Sequence, residues 1–427
     1  MPALDDHPLR YTLNSELHAR PFPSLTAPHV AAYLAVRPLG EAARRDRSVD
    51  LQQLRDLLAH YGAPLPAEDA THYFGPMGKY TLKWEQHTEF VTYTVFLDQL
   101  GQRPFDPAEF DVFPQDWRAG LNAQRITSIL LRLVPRPPQD AQIAEALQDW
   151  FVPESLAVAS VLEDAAVIAS DFRIDPAGHM RMAVFASEGT GSRRLGRIVQ
   201  RLCEIETYKS MSMLGFAKVR EFAGQLDRID AELNDLMAGM AGTSAMAEDT
   251  LHRLLDISVG LEALSADASY RLGATEAYQA IVAQRIGALR ETRFMARQGF
   301  DELMMRRYEP AMRTVTSSET RLNKMSARAS RAAELLRTRV DVERSAQNQA
   351  ILASMDKRSD LQLRLQHTVE GLSVVAISYY AVSLVGYMLY PLADRIGVSK
   401  GTLTAMAVPV VVLLVWGLLR RLRHKIK

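Results

Sequence analysis

Cysteine is almost absent from this chain. Cys203 is the single thiol in 427 residues, which excludes an intramolecular disulfide framework and any zinc site built on paired cysteines. Net charge is absent as well. The 50 basic side chains balance 50 acidic ones, so neither a polybasic nucleic-acid coat nor an acidic tail is expected. Catalytic signatures are missing: there is no Walker A loop, no HExxH helix, no nucleophile elbow and no EF-hand loop. These absences favour a non-enzyme without a resident cofactor.

Proline disappears part-way along. Of 20 prolines, 17 lie between Pro2 and Pro176, and none falls from 177 to 309. A loop-rich first part and a helical second part follow from that distribution. Charge disappears near the end. Residues 371–392, GLSVVAISYYAVSLVGYMLYPL, and 401–419, GTLTAMAVPVVVLLVWGLL, carry no charged side chain. At about 1.5 Å per residue, segments of that length span a hydrocarbon core of roughly 30 Å.

Two transmembrane helices joined by an eight-residue external connector, 393–400, are therefore predicted, with Trp416 suited to the interface. Lys357, Arg358 and Arg364 precede the first span, and the tail RRLRHKIK follows the second. The positive-inside rule then puts both flanks in the cytoplasm. The start, MPALDDHPLRYTL, has no apolar core of signal-peptide type, so the large polar part is expected in the cytosol. A buried hairpin in a soluble core is the competing reading.

The pattern predicts an α+β fold: a mixed or mostly antiparallel sheet domain with helices, then long antiparallel helices and a stalk helix entering a C-terminal transmembrane hairpin. Strands are predicted at 29–36, 79–84, 90–97, 125–134, 155–162, 165–174 and 179–186, and short helices at 47–61, 107–119 and 139–151. The expected domains are 1–191 (cytosolic sheet domain), 192–309 (long helical bundle) and 310–370 (stalk). The two spans and the tail 420–427 follow. The helical part is expected to break near 240–247, near Gly273 and at 298–300. Sixty residues from Ala311 to Glu370 lack glycine and proline, and as one helix they would be about 90 Å long. Within them Leu322, Met325, Ala329, Ala332, Leu336 and Val340 form a coiled-coil-like stripe. Its partner is either a second copy or the same chain.

Four constellations are candidates for function. In EGTGSRRLGR, Gly189 and Gly191 allow close backbone approach, Ser192 can cap a helix, and Arg193 and Arg194 supply charge, which together suit an anion. An ordinary interdomain turn uses the same residues. In WEQHTEF, Glu85, His87 and Glu89 alternate and share a face if the segment stays extended, offering ligands for a divalent cation or a proton-transfer set. His18 and Arg20 are candidate counter-charges, and solvated turn residues are the plainer reading.

The third is the stretch 285–344, with 13 Arg and 1 Lys against 8 acids, net +6. It suits anionic lipid better than nucleic acid if it is more than an ion-paired helix face. The fourth is a seam of Ser373, Ala376, Tyr380, Ser383, Tyr387 and Tyr390 on the first span. It would line a pore in a symmetric oligomer or pack on the second span.

Several segments resemble a bacterial family of uncharacterised membrane-anchored proteins, domain of unknown function 3422. They are HPLRYTLNSELHARPFPSLTAPH, KWEQHTEFVTYTVF, EIETYKSMSMLGFAKVREF and the run from LLRTRVDVERS to SLVGY. The resemblance covers nearly the whole chain and implies a bacterial inner-membrane protein without a known activity. The outline is also similar to CorA-type magnesium transporters, which are homopentamers. Where that family has Gly-Met-Asn after its first span, this chain has Gly386, Tyr387 and Met388. The expectation is a homo-oligomeric inner-membrane protein working as a CorA-like channel. Its alternative is a membrane-anchored scaffold or sensor binding a cytosolic partner or an anionic ligand.

Overall fold

The computed structural model describes residues 4, 6–11, 14, 22–40, 46–240, 247–396 and 399–426. The chain divides into two compact units. The first comprises residues 1–244 and 252–332, and the second 245–251 and 333–427.

The first unit is organised by a sheet of strands β1 (His29–Pro38), β2 (His72–Met77), β3 (Tyr80–Gln86), β4 (Val91–Leu97), β5 (Ala123–Pro135), β6 (Ala157–Val161), β7 (Ala166–Ile174), β8 (Met180–Ala186) and β9 (Thr292–Arg293). Their spatial order is β2-β3-β4-β1-β5-β8-β7-β6-β9. Every pair is antiparallel except β5 with β8, which is parallel. The mixed, mostly antiparallel α+β architecture is thus the observed one. β1, β4 and β6 are buried along nearly their whole length instead of at alternate residues. That is the pattern of strands covered on both faces.

One face holds the main core. Leu34, Leu82, Trp84, Tyr93 and Val95 meet Leu54, Leu57 and Leu58 of α1 (Arg47–His60), Leu147 of α3 (Asp140–Trp150), and Phe110 and Phe113. α1 starts where Asp46 accepts from Ser48 N at 2.9 Å, an N-cap that satisfies an otherwise orphaned amide. The predicted helix 107–119 is two pieces, a 3-10 turn Pro107–Val112 and α2 (Gln115–Gly120). Phe113 between them is extended, as the residue before Pro114 must be.

The other face lies under α4 (Ser192–Met240), which runs antiparallel to α5 (Ala247–Leu289). Arg201 Nη1 donates to Ala288 O at 2.9 Å near one end of the pair, and Lys218 meets Asp267 at 2.8 Å farther along. α5 does not break at Gly273, contrary to expectation. A glycine inside a helix costs only about 1 kcal/mol relative to alanine, which the packing of Leu272 and Thr275 offsets. After α6 (Phe300–Arg307), α7 (Glu309–Ile396) is one uninterrupted helix with Pro310 in its first turn. Its first part runs parallel to α4: Arg321 pairs with Asp227 and Asp230, and Arg328 Nη2 donates to Asn234 Oδ1, each at 2.6 Å. Of the coiled-coil-like stripe, Leu322, Met325, Ala329, Ala332 and Leu336 are buried within the chain, while Val340 is half-buried.

In the second unit, Arg344 of α7 reaches Glu248 at 3.4 Å. The apolar ends of the chain are the last part of α7 and α8 (Lys400–Ile426). Among the described residues these two helices are long and apolar enough to cross a membrane, with mean hydropathies of 1.8 and 2.3. Only 6% of either apolar stretch is buried inside the chain, which is not the pattern of soluble core helices. They meet along Val385, Leu389, Leu403, Ala407 and Val411. Gly386 faces Thr404 across the same contact, where a β-carbon would stand 3.8 Å from the threonine methyl, an ordinary van der Waals distance.

Candidate functional site

The segment WEQHTEF forms the end of β3 and the turn into β4. Extended backbone stops at Gln86, and His87 N donates to Phe90 O at 2.9 Å, closing a tight hairpin turn with Thr88 and Glu89 at its tip. The expected shared face is lost there, because alternation holds only while the chain stays extended. Glu85 and His87 still line one cleft. Glu89 instead turns toward α5, where it is ion-paired with Arg271 and accepts from the Tyr278 hydroxyl at 3.1 Å. His87 stacks on Phe90 with ring centroids 4.4 Å apart. Among the described residues no group of three His, Cys, Asp or Glu side chains is placed to hold a metal ion.

The cleft lies between the α4-facing side of β1, β3 and β4 and the helix itself. Period-two alternation puts Leu82 and Trp84 in the main core and Lys83 and Glu85 on the opposite face, across from Thr94 and Thr92. Lys83 Nζ is 3.0 Å from Glu85 Oε2 and donates to Gln200 Oε1 at 2.7 Å. The Gln200 amide donates to Glu204 Oε1 at 2.6 Å, and Glu204 is ion-paired with Arg285 of α5. A continuous polar chain therefore joins the sheet to both helices. Beside it Tyr33 and Thr207 share a hydrogen bond of 2.6 Å across the same interface.

The free space in the cleft is about 20 Å³, enough for one water and no substrate. Burial, with the neighbouring Glu204 carboxylate, pushes the Cys203 thiol far up, so it is not a nucleophile. Burial also raises Tyr33 well above the phenol range. Lys83 is held between an anion and an amide oxygen. The arrangement locks α4 and α5 to the sheet; it does not present a reactive group.

The other candidates are placed as follows. Gly189 has φ +78, a left-handed turn that favours glycine. Gly191 is the capping residue, with its carbonyl accepting from Leu195 N at 3.2 Å, and Ser192 is the first helical residue instead of the cap. Arg194 is paired with Glu163 at 2.9 Å, while Arg193 is exposed. On the first span, Ser373 and Ser383 donate to Val369 O and Tyr379 O of their own helix, at 2.8 and 2.9 Å. Tyr380 and Tyr387 are exposed. His18 and Arg20, and the side chain of Tyr390, lie outside the described residues.

Sequence reasoning did not find Tyr33, Gln200, Glu204 or Arg285. One signal was available: in KYTLKWEQ the alternation puts Lys83 and Glu85 on the same face of a strand, opposite the face of Leu82 and Trp84.

A family model described as "Protein of unknown function (DUF3422)" matches residues 5–426. The chain belongs to this family. No curated protein and no solved structure matches the chain. The match runs through the sheet, the long helices and both apolar segments, so a DUF3422 protein comprises all of them.

Proposed function

We propose that this DUF3422 protein is a membrane-anchored scaffold or sensor of the bacterial inner membrane, with the α7–α8 hairpin as the anchor and the sheet–helix unit as the binding part. The observation that carries this reading is how Ser373 and Ser383, the seam serines of the first span, are satisfied, although the buried Ser378 hydroxyl of the same span has no partner among the described residues. The seam serines spend their protons on carbonyls of their own helix, and the two spans meet along aliphatic side chains. Such a hairpin is stable in lipid without a water-filled path. Positive-inside logic supports cytoplasmic termini, with Lys357, Arg358 and Arg364 on one flank and Arg420 and Arg421 on the other. Arg420 lies over the Trp416 ring at 5.1 Å, a pairing suited to the interface.

Two measurements test the reading together. Carbonate washing should leave the chain in the membrane, and purified chain in liposomes should pass no magnesium or monovalent ion. Release by carbonate sinks the anchor; flux sinks the scaffold.

A second reading, a homo-oligomeric CorA-like channel, is favoured by Tyr380. It is 68% exposed near the middle of the first span, where a phenol is better placed against protein or water than against lipid. Light scattering of the detergent-solubilised chain separates the two, since a monomer leaves no ring for a pore.

A further inference from the structure

The first part of α7 carries a run of donors with no acid of its own helix to answer them. Lys324 has Thr320, Arg321, Ala327 and Arg328 at the i±3 and i±4 positions. Two of these are like-charged, an arrangement that opposes the helix. On either side the helix supplies its own acids: Arg313, at one end of this run, pairs with Glu309 at 2.8 Å, and Arg339, beyond it, with Glu343 at 3.0 Å. Arg321 is committed to Asp227 and Asp230 of α4. Lys324 is left with no ion pair or hydrogen bond among the described residues, and the Ser317 and Thr320 hydroxyls also have none.

These groups are not spread over a convex face. Arg313, Ser317, Thr320, Lys324 and Arg328 are spaced 4, 3, 4 and 4, which is one side of a helix. They line a groove of about 790 Å³ whose opposite wall is Gln279 of α5 and Asp230 of α4. That volume is in the range of small-molecule sites. Its charge lining is four cations against one carboxylate, Asp230, which Arg321 holds; Arg313 is paired with Glu309 and Arg328 with Asn234, so Lys324 is the uncommitted cation among the described residues of the lining. The ligand this chemistry fits is rich in acceptors and negative charge. From Ser317 to Lys324 the helix rises by about 10 Å, which suits more than one phosphate group.

We propose that this groove binds a soluble small molecule carrying two or more phosphates, gripped by Lys324, Arg313 and Arg328 and oriented by the Ser317 and Thr320 hydroxyls. The proposal deepens the sensor reading and rests on it for the ligand's cytosolic origin.

The test uses the full chain in nanodiscs of neutral phosphatidylcholine and titrates inorganic tripolyphosphate by calorimetry at physiological ionic strength. One saturable site per chain is expected. Lys324→Gln should weaken it by about tenfold or more, as the loss of one charge-assisted bond does, and Ser317→Ala should weaken it less. Lys79→Gln, in the β2–β3 turn, removes the same charge from the same unit and should change nothing. Lys324 is exposed, so its substitution should leave the thermal melt unchanged; should it not fold, Ser317→Ala with Thr320→Ala makes the same comparison.

Absence of saturable binding overturns the proposal, as does an equal loss in Lys79→Gln. So does displacement of tripolyphosphate when phosphatidylglycerol replaces the neutral lipid, because the groove would then serve headgroups. Binding that persists in a chain released by carbonate supports the groove while sinking the anchor; lost binding in a firmly anchored chain sinks the groove alone.

Discussion

Gly215 of α4 faces Thr275 of α5 so closely that a β-carbon at 215 would lie 2.1 Å from the threonine hydroxyl. Both residues are buried, and Thr275 Oγ1 is fixed by donating to Arg271 O at 2.8 Å. The helix pair therefore depends on hydrogen at that position. Gly215→Ala should destabilise the chain by about 1–3 kcal/mol through overpacking, and Gly215→Ala with Thr275→Ala should recover part of the loss. Gly224, nine residues later on the same helix, meets nothing within 4 Å. Gly224→Ala should stabilise by about 0.4–1 kcal/mol. Chemical denaturation of the three variants checks the contrast; equal effects at 215 and 224 would remove the close-approach argument.

Glu89 and Arg271 form an ion pair with side-chain exposures of 1% and 12%. Removing one member of such a pair leaves an uncompensated charge, at a cost of about 3–5 kcal/mol. Glu89→Gln should therefore lower the melting temperature sharply. Glu89→Gln with Arg271→Met should be less harmful than Glu89→Gln alone, because the stranded guanidinium is gone. A double-mutant cycle showing simple additivity would contradict this.

Seven strands were legible because β-branched and aromatic runs sit between turn residues, and the long helices because glycine and proline vanish. β2 was not, since HYFGPM places Gly75 and Pro76 inside a strand. The sheet tolerates Pro76 because β2 is an edge strand, where a missing amide donor costs no ladder bond. β9 is two residues long and exists only through its pairing with β6. Glu85, His87 and Glu89 were expected to share a face only while the segment stays extended, and β3 ends at Gln86. Alternation says which face a residue takes on a strand and nothing about where the strand stops. The phosphate groove was visible only as net charge, because its other wall comes from helices about 40 and 90 residues away in sequence.

His179 gives a pH signature. It is buried against Phe110, with ring centroids 4.1 Å apart, and its Nδ1 is 3.0 Å from Ser128 Oγ. Desolvation lowers its pKa from the usual 6.5, with Arg125 and Arg118 acting the same way and Asp175 and Asp111 opposing. The unfolded chain then binds the proton more readily, so stability rises with pH across that window. The contribution is complete above pH 6.5 and declines as pH falls from 6.5 through the depressed native value. His179→Asn should flatten this part of the stability profile relative to the parent chain, with the midpoint of urea unfolding as the measurement. An unchanged slope would assign the pH dependence elsewhere.

The orientation of the hairpin can be read with thiols, because the only native one is silent. Cys203 is 3% exposed and its pKa is pushed far up by burial, so a maleimide reagent should not label the parent chain. Ser399, in the connector between the two spans, is exposed. With both basic flanks in the cytoplasm, Ser399→Cys should react in spheroplasts with a membrane-impermeant maleimide, and a cysteine at Lys79 should react only after lysis. The opposite pattern would place the connector inside and the sheet–helix unit outside. The phosphate groove would then face a compartment poor in nucleotides, and the sensor reading would fail with the topology.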